Sequence, residues 1–266
     1  MYTAEFTYHP ASSLSDALNQ LASNPDAKLL TGGHSLIPAM KLRLSAPGTL
    51  IDVSKISELR GIRLEGQTIG IGAMTTHRDV EFSDLLAQHC AVLPQVTALI
   101  GDPMVRNRGT VGGAIAHADP AADYPAVMLA LNASMKIAST TGSRVVTSDE
   151  FFLGMYSTAV AEGEMLTEIH IPLGARAAYE KFAHPASRYA LAGVAVSVKD
   201  DQVRAAYTGA GEIATRITKL ETEGVTSACQ NLVSSRELIG DAFASTEYRA
   251  HLIDVMAARA LARVIA

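Results

Sequence analysis

Two glycine turns carry the residue types best suited to chemistry. The first is Thr31-Gly32-Gly33-His34-Ser35-Leu36, after the run Lys28-Leu29-Leu30; the second is Thr110-Val111-Gly112-Gly113-Ala114. Backbone without Cβ atoms lets amide N–H groups come close to an anion, so two such turns from distant sequence can clasp the two phosphates of a dinucleotide. A Gly-Gly pair also serves any turn that needs positive φ, and context separates the two readings. Lys28-Leu29-Leu30, the turn, and then Ser35-Leu36-Ile37-Pro38-Ala39-Met40-Lys41-Leu42 read as strand, turn and helix, and a helix start offers unpaired N–H groups to phosphate. Neither turn matches G-x-G-x-x-G or a Walker A loop, which argues against Rossmann and P-loop sites.

Other chemistry finds little support. His34, His77, His117 and Asp119 are possible metal ligands by type, but no pair has H-E-x-x-H or another ligand spacing, so no metal site is expected. No serine lies in G-x-S-x-G and neither cysteine stands in a nucleophile motif, so no catalytic side chain is assigned. Cys90 and Cys229 are the only cysteines, too few for the four thiolates of an iron–sulfur cluster, and read as small buried hydrophobes.

The chain has 266 residues, 48% of them hydrophobic, with a net charge of −5, enough apolar material for one large or two modest domains. Without a Lys/Arg cluster it lacks the footprint of a nucleic-acid binder. The N-terminus has no basic and apolar leader pattern, and no apolar run reaches bilayer length, so a cytoplasmic protein is expected.

The elements that must position the turns form a mixed pattern. Pro10 to Leu18 reads as an N-capped helix with Leu14, Leu18 and Leu21 as its apolar stripe. Leu50 to Val53 is a strand, and Ile62 to Leu64 and Thr68 to Ile71 flank a hairpin-like turn at Glu65-Gly66-Gln67. Thr75 to Ile100 is helical with an interruption near Pro94, leading to the second turn, and Ala121 to Leu131 is a further helix. Beyond a boundary near 175, strands at Tyr179–Ala183, Gly193–Val198 and Val203–Tyr207 precede a terminal helix, Glu247–Ile265. Its apolar face carries Leu252, Val255, Met256, Ala260 and Val264.

Several motifs in order carry a family resemblance: Leu29 to Leu36; Gly101-Asp102-Pro103; Val105-Arg106-Asn107-Arg108-Gly109 into the second turn; and His117-Ala118-Asp119-Pro120-Ala121-Ala122-Asp123. Leu166 to Pro172, Tyr179-Glu180-Lys181-Phe182, Ser187-Arg188-Tyr189 and Ala244 to Arg249 continue it essentially end to end. The chain resembles the FAD-binding (medium) subunits of molybdenum hydroxylases, a family that includes carbon monoxide dehydrogenase medium subunits and xanthine dehydrogenase FAD domains. The resemblance implies an α+β fold. A PCMH-type FAD-binding domain of two α/β subdomains would span residues 1–175, and a smaller C-terminal domain with an antiparallel sheet residues 176–266.

It also implies the cofactor contacts. Leu29, Leu30, Thr31, Gly32, Gly33, His34, Ser35 and Leu36 would form one half of the FAD cradle. Thr110, Val111, Gly112, Gly113 and Ala114 would form the other. Asp123 would meet the adenosine ribose. Ile100, Leu166 and Tyr189 would line or cover the isoalloxazine ring, and Lys181 would favour the reduced anionic flavin. Thr31 replaces a frequent Ala, and Ala114 replaces Asn, Asp or Ser. By the same resemblance, a large molybdenum-cofactor subunit and a small subunit with two 2Fe-2S clusters are the partners, in a dimer of heterotrimers. Electrons would reach FAD here and leave to an external acceptor. A stand-alone flavin oxidase of the vanillyl-alcohol oxidase-like fold and a flavin-free assembly subunit are the alternatives.

Overall fold

The computed structural model describes residues 2–266; Met1, part of the N-terminal stretch considered above, lies outside them. The chain opens with β1 (Thr7–Pro10), α1 (Leu14–Ser23), β2 (Lys28–Leu30), α2 (Leu36–Lys41) and β3 (Thr49–Asp52). The three strands form a parallel sheet in the order β1-β3-β2. The Ser13 hydroxyl caps α1 by accepting from Asp16 N, and Ala17, Leu18 and Leu21 go into a small core with Ile51 and Val53. Parallel pairing leaves the β2–α2 connection at the carboxyl end of a strand, where ligands of open α/β sheets gather.

β4 (Ile62–Glu65) and β5 (Thr68–Gly72) form the expected hairpin, turning at Gly66 with φ +60. Six short helices follow: α3 (His77–Glu81), α4 (Asp84–His89), α5 (Val92–Ala98), α6 (Pro103–Arg106), α7 (Val111–His117) and α8 (Asp123–Ala130). The helical run to Ile100 is not interrupted at Pro94. It breaks at Phe82–Ser83, where Ser83 caps α4, and at Cys90–Ala91. Pro94 sits in the first turn of α5, where its missing N–H would have had no intrahelical acceptor.

β6 (Ser134–Ser139), β7 (Gly142–Thr147), α9 (Ser148–Phe151), the two-stranded ribbon β8 (Phe152–Gly154) and β9 (Ser157–Thr158), and β10 (Met165–Pro172) complete the middle region. β10 joins the hairpin to β6, giving an antiparallel five-stranded sheet in the order β4-β5-β10-β6-β7. One face alternates Ile69, Ile71, Met135, Ile137, Ile169 and Ile171, all essentially inaccessible, into the main core.

β11 (Arg176–Ala183), β12 (Ala190–Lys199), β13 (Gln202–Thr208) and β14 (Thr215–Arg216) form an antiparallel sheet in that order, followed by α10 (Thr218–Glu223) and α11 (Thr246–Ile265). α8 packs on one face of this sheet and α11 on the other, so β12 is buried at every residue except Lys199. α11 is capped by Ser245 and buries Leu252, Met256, Ala260 and Val264 as expected, with Val255 partly covered. Every residue of α8 is buried, because it is enclosed between the C-terminal sheet and α5 and α7. Among the described residues, no helix is long and apolar enough to cross a membrane.

Candidate cofactor-binding site

The two glycine turns lie against each other. A Cβ built on Gly32 would stand 2.3 Å from the Arg108 carbonyl oxygen and 2.7 Å from Gly109 Cα. One built on Gly113 would stand 2.6 Å from Thr31 Oγ1. At Gly32 the near atoms are main chain, so contact between the turns needs glycine there; at Gly113 they are threonine hydroxyls, and Thr31 places one directly at this seam. Gly33 has φ +75, a conformation that side chains resist, and it turns the chain from β2 into α2.

This fold leaves a row of donors open. Among the described residues, the amides of Gly32, Gly33, His34, Ser35 and Leu36 donate to no acceptor in the chain. Ser35 begins α2 without a capping bond from its side chain. Successive N–H groups left free beside a glycine seam form a concave cradle for an anion, and a diphosphate supplies the acceptors they lack. The donors present therefore fit an anionic group such as a diphosphate.

The second turn contributes differently. Val111 N donates to Thr75 O and Gly112 N to Ala73 O, each at 3.0 Å, which ties the start of α7 to the end of β5. A Cβ on Gly112 would lie 2.4 Å from Ala73 Cβ. In this structure Gly112 is a close-packing glycine whose amide already has an acceptor, unlike those of the first turn. Thr110 Oγ1 accepts from Gly113 N at 3.2 Å, capping α7, and Ala114 N donates to Thr110 O. Beneath this turn His77 is buried, its N donating to Gly109 O and its Nδ1 3.3 Å from the Tyr124 hydroxyl. Burial, reinforced by His34 and Arg106, lowers its pKa to about 4.

The remaining site residues come from separate elements: Ile100 and Tyr189 from loops, Asp123 from the start of α8, Leu166 from β10 and Lys181 from β11. Ile100 ends the segment after α5 and is half-buried, Tyr189 precedes β12 with 46% of its surface exposed, and Leu166 is buried in the main core. Asp123, expected at a ribose, has both carboxylate oxygens engaged within the chain. Tyr179 donates its hydroxyl to Oδ1 at 2.5 Å, and Lys181 Nζ donates to Oδ2 at 3.0 Å. Burial pushes the Asp123 carboxyl above its usual range, opposed by Lys181 and Tyr179; both partners are donors, so the ionised carboxylate is the form that satisfies the site. The Lys181 ammonium, expected to act on the flavin, is thus paired with a buried carboxylate. The Tyr179 hydroxyl is held protonated by burial and by Asp123.

Two residues at the site escaped the sequence reading. Tyr156, at φ +55 in the β8–β9 turn, packs its ring 5.1 Å from that of His117, and burial and the charge of Asp119 raise its pKa. Nothing in the local pattern links it to the second glycine turn. Tyr179 was read as the start of a strand and as part of a family motif, with no role at the site. The one group of His, Cys, Asp and Glu side chains within joint ligand range, among the described residues, is Glu65, Glu168 and His170 on the outer face of the central sheet. None of the histidines considered above belongs to it, and the Arg63 guanidinium bridges both carboxylates as an ion-pair network.

Residues 4–174 match the family described as FAD binding domain in molybdopterin dehydrogenase. The chain belongs to this family. It is 39% identical to the carbon monoxide dehydrogenase medium chain of Hydrogenophaga pseudoflava, over 98% of this chain and 97% of that one. It is 38% identical to the glyceraldehyde dehydrogenase medium chain of Sulfolobus acidocaldarius, over 83% of this chain and 81% of the relative. Its structure is similar to that of Hydrogenophaga pseudoflava carbon monoxide dehydrogenase lacking the Mo-pyranopterin moiety, with a TM-score of 0.92 and 37% identity, covering 100% of this chain and 99% of the other. The protein is an FAD-binding oxidoreductase subunit of the molybdenum hydroxylase medium-chain type with the α+β fold expected of it.

Proposed function

We propose that the chain is the electron-transfer subunit of a heterotrimeric molybdenum hydroxylase. It would receive electrons from 2Fe-2S clusters on a small subunit, downstream of a molybdenum cofactor on a large one, and deliver them to an external acceptor. The names of its medium-chain relatives support the assembly, and the row of unpaired amides from Gly32 to Leu36 supports the cofactor's place in it. FAD, when bound, supplies the redox chemistry; the protein supplies binding, orientation and exclusion of water.

In this reading Gly32 to Leu36 donate to the diphosphate, with the Ser35 hydroxyl as a further donor, while Thr110 to Ala114 form the opposing wall. Ile100 and Tyr189 bound the ring end, and Leu166 backs it from the core. The cofactor domain spans 1–175 and the C-terminal sheet with α11 forms the second domain, 176–266. Purification of the tagged chain with its native partners tests the proposal. One FAD per chain together with molybdenum and iron is the expected result. A chain that takes up no flavin even from excess FAD would favour the flavin-free assembly role, and flavin with no metal-bearing partner would favour the stand-alone oxidase.

A further inference from the structure

Three consecutive carbonyls between α5 and α6 each accept from a cationic side chain of a different part of the chain. Leu99 O accepts from Lys181 Nζ at 3.3 Å, Ile100 O from Arg106 Nη1 at 3.0 Å, and Gly101 O from Arg188 Nη1 at 3.3 Å. Lys181 Nζ also donates to Arg188 O at 3.1 Å. One ammonium, 5% exposed, therefore binds the Ile100 loop, the Tyr189 loop and the Asp123 carboxylate together. An ammonium has three protons, and these three acceptors match its full donor capacity.

Tyr189 is fastened from its other side as well. His184 N donates to Tyr189 O at 2.7 Å, and the amides of Ala186 and Ser187 donate to His184 Nδ1. The turn is stiff within itself, but its connection to the Ile100 loop runs through Lys181 and Arg188. Arg188 is exposed and reaches only Gly101 O, at 3.3 Å, whereas the buried Lys181 ammonium reaches both loops and Asp123. The shared clamp is Lys181, and Asp123, braced by Tyr179, fixes where the ammonium sits.

We infer that Lys181 is a positioning residue: with Asp123 as its anchor it locks the Ile100 and Tyr189 loops at a fixed separation, setting the slot between them. Its charge is balanced by Asp123, so it acts on the cofactor through the loops rather than as a free cation. The step from loops to flavin rests on the proposed FAD site; the clamp itself does not.

The test uses the full chain with Lys181→Met and Asp123→Asn combined, which removes both charges and leaves no buried carboxylate unpaired. A second variant, Lys181→Gln, keeps a donor and Asp123. In the apoprotein of the double variant, amide exchange at 99–101 and 187–190 and tryptic cleavage after Arg188 should rise about 100-fold, the effect of losing two hydrogen bonds from a charged donor. Lys181→Gln should show a smaller rise, and exchange in α11 should not change. With FAD bound, flavin fluorescence should increase as the Tyr189 loop loosens, while the reduction potential stays at the wild-type value. Unchanged exchange in both loops would overturn the clamp. A lowered potential with both loops still protected would show instead that Lys181 acts on the flavin as a cation. Because the exchange and cleavage readouts need no flavin, failure of the FAD assignment would leave them standing.

Discussion

Gly32→Ala is the substitution that strikes most directly at the seam between the two glycine turns. The new Cβ would meet the Arg108 carbonyl oxygen at 2.3 Å and Gly109 Cα at 2.7 Å, and both are main-chain atoms that no rotamer change can move aside. Ordinary contact lies near 3.5 Å, so the two turns must separate by about 1 Å. The row of amides from Gly32 to Leu36 would then shift relative to the second turn by that distance, enough to break one or two of the bonds to an anion held between them. At roughly 1.5–3 kcal/mol for a hydrogen bond to a charged group, the loss is about 3 kcal/mol, or about 100-fold in affinity. Titrating apoprotein with FAD and following flavin fluorescence measures it, with the thermal midpoint of the apoprotein as control. A folded variant that binds FAD within threefold of wild type would refute the cradle.

Gly112→Ala should behave in the opposite way. Its Cβ would lie 2.4 Å from Ala73 Cβ, so the apoprotein itself should lose about 1–3 kcal/mol in denaturant unfolding, an overpacking cost; unchanged stability would mean that α7 is not seated on β5. His77 predicts a pH dependence. Its folded pKa of about 4 lies below the 6.5 of the exposed imidazole, so the unfolded chain binds the proton more tightly. The neutral form's contribution is complete above pH 6.5 and is lost as pH falls toward 4, worth about 3 kcal/mol. Unfolding measured over this range should show a slope that His77→Gln reduces, and an equal slope in the variant would assign the effect to other groups.

The first glycine turn and its place between strand and helix could be read from sequence because they depend on local rules: an apolar run, a Gly-Gly pair, then helical spacing; the helix that follows the second turn was not read. The stripe of α1, the β4–β5 hairpin and the buried face of α11 were legible for the same reason. The distinction between Gly112 and Gly33 was not, because it depends on Ala73, a neighbour nearly forty positions away in the chain. Asp123 and Lys181 show the same limit. Each residue type suits a ligand, and only the fold reveals that they meet each other. The breaks at Ser83 and Cys90 were hidden because Pro94 is the louder local signal, yet a first-turn proline costs a helix nothing. β6 and β7 went unassigned although Met135 and Ile137 alternate, because short strands are told apart from loops mainly by the partners they find.

The central claim is that main-chain donors from residues 32–36 hold a diphosphate against the second glycine turn. A crystal structure of the chain loaded with FAD tests it most directly. The account predicts phosphate oxygens within hydrogen-bond distance of several amides between Gly32 and Leu36, with Thr110 to Gly113 on the opposite side. Electron density placing the diphosphate elsewhere, with those amides facing solvent, would contradict it.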